Sequence, residues 1–184
     1  MSKAVMLSIR PRWCELIANG EKTIEVRKTR PKLETPFKCY IYCTKPRFEH
    51  EDFFALVGKQ GFYGGGKVIG EFVCDGIVWL ARVGFTGRGG EPEYRIANNG
   101  DWKSPIGRLL EEACLTEDGF DAYLGGNPGF GWHISDLKIY DTPVDITNFR
   151  NCNGCEYMGD CNTHCWKPMQ RPPQSWCYVE EHMR

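Results

Sequence analysis

Apolar and polar residues follow one another along the chain in patterns that predict several strands. "AVMLSI" (residues 4–9) and "FKCYIYC" (37–43) are compact apolar runs, which are typical of buried strands. "KTIEVRK" (22–28) alternates, so that Ile24 and Val26 share one face and Thr23, Glu25 and Arg27 share the other. "GGGKVIGEFVCDGIVWL" (64–80) predicts one or two more strands, and "GWHISDLKIYD" (131–141) alternates again.

Two segments carry the signals of short helices. Pro11 precedes the apolar residues Trp13, Leu16 and Ile17, and Gly20 follows them, which predicts a helix with proline in its first turn. "LTEDGFDAYLGG" (115–126) has Thr116 as an N-cap, acidic residues in the first turn and a Gly-Gly end.

The order of these elements predicts a mainly β protein of the α+β class. We expect a small mixed β-barrel with short helices over residues 1–147, and a cysteine-rich tail over residues 148–184. From residue 82 the chain becomes rich in Gly, Pro and Asn, so residues 82–114 are predicted to form a surface insertion loop.

Composition agrees with a folded domain outside the membrane. The 184 residues are 41% hydrophobic and 13% aromatic, which is enough for a core. The sequence has no apolar run near the roughly 18 residues that a membrane span needs, and the apolar run in "MSKAVMLSIRPRW" is too short for a signal peptide. We therefore expect a cytoplasmic protein.

Charge is unevenly distributed along the chain. The net charge is −1, yet residues 1–48 hold 11 Lys and Arg against 4 Asp and Glu. Such a basic region favours an anionic partner, although basic side chains that simply solvate one face would give the same count.

The basic region also carries a recognisable motif. "SIRPRWCELIANGEKTIEVRKTRP" (8–31) resembles the opening of the ASCH domain, and "GFGWHISDLKIYDTP" and "RPPQSWCYVEE" resemble segments of a phage and prophage branch of that family. The resemblance covers roughly residues 3–147. Its hallmark residues are Gly20, Lys22, Thr23, Ile24, Glu25 and Arg27.

The resemblance implies a PUA-like β-barrel and a role with RNA or a modified nucleotide. If the polar face of "KTIEVRK" lines a cleft, Glu25 can pair with Arg27 and leave cationic donors for phosphates or base edges. A solvent-facing strand with paired charges is the structural alternative. The candidate ligand-binding residues are Arg10, Lys22, Thr23, Glu25, Arg27, Lys28, Arg30, Trp132 and His133.

Two of these candidates come from the later alternating strand. Trp132 next to a glycine-rich turn is a candidate stacking platform for a base, and His133 points to the other face of that strand. A tryptophan in a strand is more often part of the core, and a histidine there is more often structural.

An enzymatic function is the main alternative. Some small relatives of the ASCH family resemble amidohydrolases that act on acylated cytidine through a Lys, a Thr and a carboxylate, and their reactive Thr occupies the place of Glu25. Lys22, Thr23 and Glu25 would be the catalytic candidates, with Thr23 pointing away from Lys22 by strand alternation. A protein-interaction adaptor is a third possibility, and the oligomeric state is not predicted.

The tail carries four closely spaced cysteines, Cys152, Cys155, Cys161 and Cys165. Four thiolates at such spacings suit a tetrahedral zinc site, and Gly154 eases the turn between the first two. An iron–sulfur cluster or free thiols are the alternatives. The span equals that of an RNA-binding zinc knuckle, except that a cysteine replaces the histidine one position away.

We predict one structural zinc ion per chain at these four cysteines. The glycine-rich, polar tail lacks a core of its own, and structural zinc contributes on the order of 10–16 kcal/mol of apparent binding free energy in zinc-finger peptides. Elemental analysis of protein purified without chelator should find zinc, whereas iron or no metal would contradict the prediction.

Overall fold

The computed structural model describes residues 3–46, 54–57, 60–84, 92–98, 101–151 and 168–181. The strands there are β1 (Lys3–Ile9), β2 (Ile24–Arg27), β3 (Phe37–Cys43), β4 (Phe54–Val57), β5 (Gln60–Tyr63), β6 (Lys67–Cys74), β7 (Ile77–Val83), β8 (Glu93–Asn98), β9 (Asp101–Pro105), β10 (Gly129–His133), β11 (Ser135–Val144) and β12 (Trp176–Glu180). The helices are α1 (Pro11–Ala18), α2 (Gly107–Glu112) and α3 (Glu117–Leu124).

Most strands belong to two five-stranded sheets. The first has the order β11-β6-β3-β1-β12 and the second has the order β2-β10-β7-β8-β9, while β4 and β5 form a separate hairpin. β1 and β3 are parallel and are joined by a connection that contains α1. The mainly β, α+β class is confirmed. The predicted small mixed β-barrel corresponds to these two sheets, which do not close into one continuous barrel among the described strands.

Three apolar clusters hold the sheets and helices together. The largest lies between α1, the first sheet and Trp132 of β10. A second covers the opposite face of the first sheet, where Tyr40 packs on Phe149. The third joins the second sheet to α2 and α3 through residues such as Leu109 and Phe120. The clusters fix the helices at the positions from which they contribute to the cleft described below.

Several elements lie where the periodicity places them. β1, α1 and β3 match the predicted segments, and the long glycine-led segment contains two strands, β6 and β7. Thr116 caps α3 by accepting a hydrogen bond from the Gly119 N–H, and Gly125 ends the helix in the left-handed conformation. Local sequence signals therefore sufficed to predict the four elements β1, α1, β3 and α3, which border the cleft.

The predicted insertion loop over residues 82–114 is wrong. The segment contains β8, β9 and α2, and β8 pairs with β7 inside the second sheet. Tyr94 and Leu109 are buried in the third apolar cluster. The Gly, Pro and Asn content indicated a loop, but β8 is stabilised by pairing with β7. Such pairing is a non-local interaction, and local composition carries no information about it.

The described helices are short, the longest having eight residues. None of them has the length and apolar character needed to cross a membrane.

We predict that Gly70 of β6 cannot accept a methyl group without loss of stability. A Cβ at this position would lie 2.5 Å from the Lys138 carbonyl oxygen of β11, so the two strands would have to separate. Gly70→Ala should lower the free energy of unfolding by about 1–3 kcal/mol. Gly107→Ala is the matched control, because nothing lies within 4 Å of its added methyl group. Denaturant unfolding that gives equal midpoints for both variants would contradict the packing described here.

Candidate functional site

A buried group of three charges contains Lys22 and two residues of the predicted polar face of β2, Glu25 and Arg27. Lys22, Glu25 and Arg27 are only 3%, 7% and 6% exposed. One carboxylate oxygen of Glu25 lies 3.0 Å from an Arg27 nitrogen, and the other lies 3.4 Å from Lys22 Nζ. A buried carboxylate between two cations is a stable arrangement only while all three groups keep their partners. We call these residues the charged triad.

The charged triad is tied to three separate parts of the chain. Lys22 Nζ donates a 2.7 Å hydrogen bond to the Ala113 carbonyl, just after α2. Arg27 donates to the Ser8 carbonyl in β1 at 2.9 Å, and to the Ser175 carbonyl and hydroxyl, each at 3.3 Å. These bonds join β2 to elements that are distant in sequence.

Lys22 contacts Glu25, although strand alternation predicts that these two side chains lie on opposite faces. β2 begins at Ile24, so the period of two does not extend back to Lys22. The Thr23 N–H instead bonds to the Glu112 carbonyl at 2.8 Å, which turns the chain before the strand. As a result Lys22 reaches Glu25, and Thr23 is not among the residues that line the cleft.

A cleft of about 810 Å³ opens above the charged triad. Its walls come from the β1–α1 junction, the end of β3, the segment before α3 and the residues before β12. The described lining residues are Ser8, Ile9, Arg10, Pro11, Arg12, Trp13, Lys22, Glu25, Val26, Arg27, Thr44, Lys45, Cys114, Leu115, Thr116, Gly119, Tyr123, Gln174 and Ser175.

The lining is strongly cationic. Among its described residues there are five cationic side chains and one carboxylate, that of Glu25. Arg10, Arg12 and Lys45 form no ion pair with any described residue. Because Glu25 is already shared by Lys22 and Arg27, the cleft retains a net positive charge that favours an anionic ligand.

Two aromatic rings also line the cleft. The Trp13 ring is half-buried, with Lys22 Nζ and Arg12 Cζ each 5.2 Å from the ring centroid. Tyr123 is 39% exposed, and desolvation of its hydroxyl group raises its pKa, so the phenol stays protonated at neutral pH. Lys28 is exposed and its Nζ lies 5.4 Å from the Tyr123 ring centroid, next to the cleft but outside its lining.

Four of the candidate ligand-binding residues, Arg10, Lys22, Glu25 and Arg27, line the cleft. Arg30 is exposed and is not part of the lining. Sequence reasoning missed several lining residues, of which Arg12 and Trp13 belong to the same "SIRPRW" stretch as Arg10. Other lining residues come from distant segments, in which no local motif points to the cleft, among them Thr44, Lys45, Cys114, Thr116, Tyr123, Gln174 and Ser175.

Trp132 and His133 lie outside the cleft. Trp132 is fully buried and packs edge-on against Phe37 with ring centroids 5.9 Å apart, so the predicted stacking platform is not accessible to a base. His133 is exposed, and its Nδ1 lies 2.6 Å from the Asp75 carboxylate. That hydrogen bond lowers the pKa of Asp75.

The four cysteines predicted to bind zinc, Cys152, Cys155, Cys161 and Cys165, lie outside the described residues. Within the part of the chain that is described, no three His, Cys, Asp or Glu side chains come together as a metal site. Burial raises the pKa of the Cys14 thiol behind the cleft wall well above its usual value, so this thiol is not a ready nucleophile.

Comparison with known proteins shows the fold. No family model and no curated protein matches the chain. The ASCH protein from Zymomonas mobilis is similar in structure, with a TM-score of 0.54 and 17% identity over 97% of this chain and 88% of that one. Crystal structures of two point mutants of that protein each have a TM-score of 0.55 and 17% identity to this chain, and both alignments cover 97% of this chain. They cover 91% and 89% of the mutant chains. The chain therefore has the ASCH fold.

We predict that the Glu25 carboxylate is required for stability. Glu25→Ala leaves Lys22 and Arg27 buried without their common anion, which should lower the free energy of unfolding by about 3–5 kcal/mol. Glu112→Ala is the matched control, since Glu112 pairs with an Arg108 side chain that is 89% exposed. Such a surface pair should contribute less than about 1 kcal/mol. Similar losses for both variants in denaturant unfolding would show that the triad is not a structural unit.

Proposed function

We propose that the cleft binds RNA or a nucleotide. The observation that carries this proposal is the imbalance of charge in the described lining, where five cationic side chains face one carboxylate. Nucleic acids and nucleotides carry their negative charge on phosphates, for which arginine and lysine are the usual protein partners. A cleft of about 810 Å³ is also large enough for a nucleotide or a short single-stranded segment.

Within the cleft, the cations have two different roles. Lys22 and Arg27 are buried and already engage Glu25 and backbone carbonyls, so they set the shape and charge of the floor. Arg10, Arg12 and Lys45 have no carboxylate partner among the described residues, and Arg10 and Lys45 are exposed. These three side chains at the rim are the proposed phosphate contacts.

The aromatic rings support a ligand with a base. Trp13 and Tyr123 line the same cleft as the rim cations. Stacking on an aromatic ring contributes about 1–3 kcal/mol per base and tolerates different bases. A cationic rim together with two rings is typical of sites for single-stranded nucleic acid and less typical of sites for simple anions.

The hydrolase alternative has less support from the site. Lys22 Nζ bonds to the Ala113 carbonyl and contacts Glu25, and no hydrogen bond joins it to a hydroxyl group among the described residues. Thr23 lies outside the lining, so it does not replace the reactive Thr. The adaptor alternative would favour basic residues scattered over the surface, whereas five of the eleven basic residues in 1–48 line this one cleft. A zinc-stabilised tail and a phage or prophage origin remain predictions from the sequence.

We predict that removing two rim charges weakens RNA binding. In the variant Arg10→Gln with Arg12→Gln, affinity for a fluorescein-labelled single-stranded RNA should fall by about tenfold or more, for every sequence alike. The slope of log affinity against log salt should fall by about 0.7 for each phosphate that the variant no longer neutralises. Fluorescence anisotropy at several salt concentrations measures both quantities.

Arg108→Gln removes a charge of the same kind outside the cleft and should leave both quantities unchanged. Equal weakening by this control would mean that the whole surface attracts RNA. Absence of RNA and nucleotide binding at low salt would overturn the proposed function.

A further inference from the structure

The rim cations gather at one end of a parallel strand pair. β1 and β3 are parallel, with Ile9 opposite Cys43, and the Thr44 N–H continues the pairing to the Ile9 carbonyl at 2.8 Å. Arg10 and Lys45 therefore follow the carboxyl ends of adjacent strands. α1 begins at the same end, directly after β1.

The first turn of α1 is suited to an anion. Arg10 is its N-cap residue, and no side-chain hydrogen bond caps the helix. Its first turn contains no acidic residue, and Arg12 lies there instead. Pro11 has no N–H and the Trp13 N–H already bonds to the Arg10 carbonyl at 3.0 Å, so in this first turn the Arg12 N–H is the donor without an acceptor among the described residues. The helix dipole adds a partial positive charge at this end. α3 also begins at the cleft, but Thr116 caps it and two acidic residues follow.

Lys45 is held on the opposite side of this end. A Cβ at Gly66 would lie 3.0 Å from Lys45 Cε and 3.2 Å from Cγ, so the aliphatic part of Lys45 packs across this glycine. Gly66 has φ +82°, a conformation that disfavours a larger residue there. Lys45 also lines the cleft.

An independent feature of the cleft also indicates a ligand. Arg27 lines the cleft and is 6% exposed, yet its Nε has no hydrogen-bond partner among the described residues. A buried donor without an acceptor is costly, and a water molecule or a ligand in the cleft can supply the missing acceptor. The rest of the Arg27 guanidinium is bound to Glu25, Ser8 and Ser175.

We propose that the cleft binds its ligand through a terminal phosphate monoester, placed between the first turn of α1, Arg10, Arg12 and Lys45. This inference rests on the proposed function and narrows it to a class of ligand, namely a nucleoside monophosphate or a phosphorylated RNA end. A monoester near neutral pH carries close to two negative charges, and an internal phosphodiester carries one. Three exposed cations and a helix start without a side-chain cap match the larger charge of a terminal phosphate.

The test compares RNAs that differ only in where their charge lies. The probes are a short RNA with a 5′-phosphate, the same RNA with a 3′-phosphate, and a slightly longer unphosphorylated RNA of equal total charge. The four nucleoside 5′-monophosphates are compared with their nucleosides. Calorimetry or competition anisotropy at fixed salt should show that one terminally phosphorylated form, or one monophosphate, binds at least about tenfold more tightly than its matched partner.

Variants assign this preference to the site. Arg10→Gln with Lys45→Gln should abolish the preference for a terminal phosphate, and Arg108→Gln should retain it. A preference confined to monophosphates identifies a mononucleotide as the ligand, and one shared by an RNA identifies an RNA end. Equal binding of all three RNAs, with no advantage of monophosphates over nucleosides, would overturn the phosphate inference and leave the proposed function standing. Failure of every RNA and nucleotide to bind would overturn both.

Discussion

The carboxylate of Glu25 is the group on which the cleft depends. It is buried between Lys22 and Arg27, and these cations bond to Ala113, Ser8 and Ser175 in three other parts of the chain. Without the carboxylate, two cations would be buried unpaired at the place where these parts meet. With it, the charged triad carries one net positive charge at the floor, so the same contacts that join the walls keep the cleft attractive to anions.

The floor and the rim of the cleft therefore have different roles. The charged triad is enclosed and fully engaged apart from Arg27 Nε, so its contribution is shape and background charge. The rim, with Arg10 and Arg12 at the start of α1 and Lys45 after β3, has donors that no described carboxylate occupies. A ligand can bind at the rim without breaking the contacts that stabilise the floor.

The sequence was informative where structure depends on neighbouring residues. The apolar run of β1 and the Thr116 cap of α3 predicted their elements, and the ASCH motif predicted the fold. Prediction failed where distant residues decide. β8 pairs with β7, and β9 pairs with β8 in turn. Lys22 lies beside Glu25 because β2 begins at Ile24, two residues after the start of the alternating pattern. Trp132 belongs to the core because it packs between its own sheet and the first sheet. The lining residues from distant segments have no local signature for the same reason.

If the cleft floor is a single unit, Glu25 and Arg27 must be energetically coupled within the ligand-free protein. A double-mutant cycle of Glu25→Ala and Arg27→Ala, followed by denaturant unfolding without ligand, measures this coupling directly. Contacting residues in one network show coupling of about 0.5–3 kcal/mol, and burial of this pair places the prediction in the upper half of that range. A coupling energy near zero would contradict the role assigned to Glu25, because the two side chains would then contribute independently to stability.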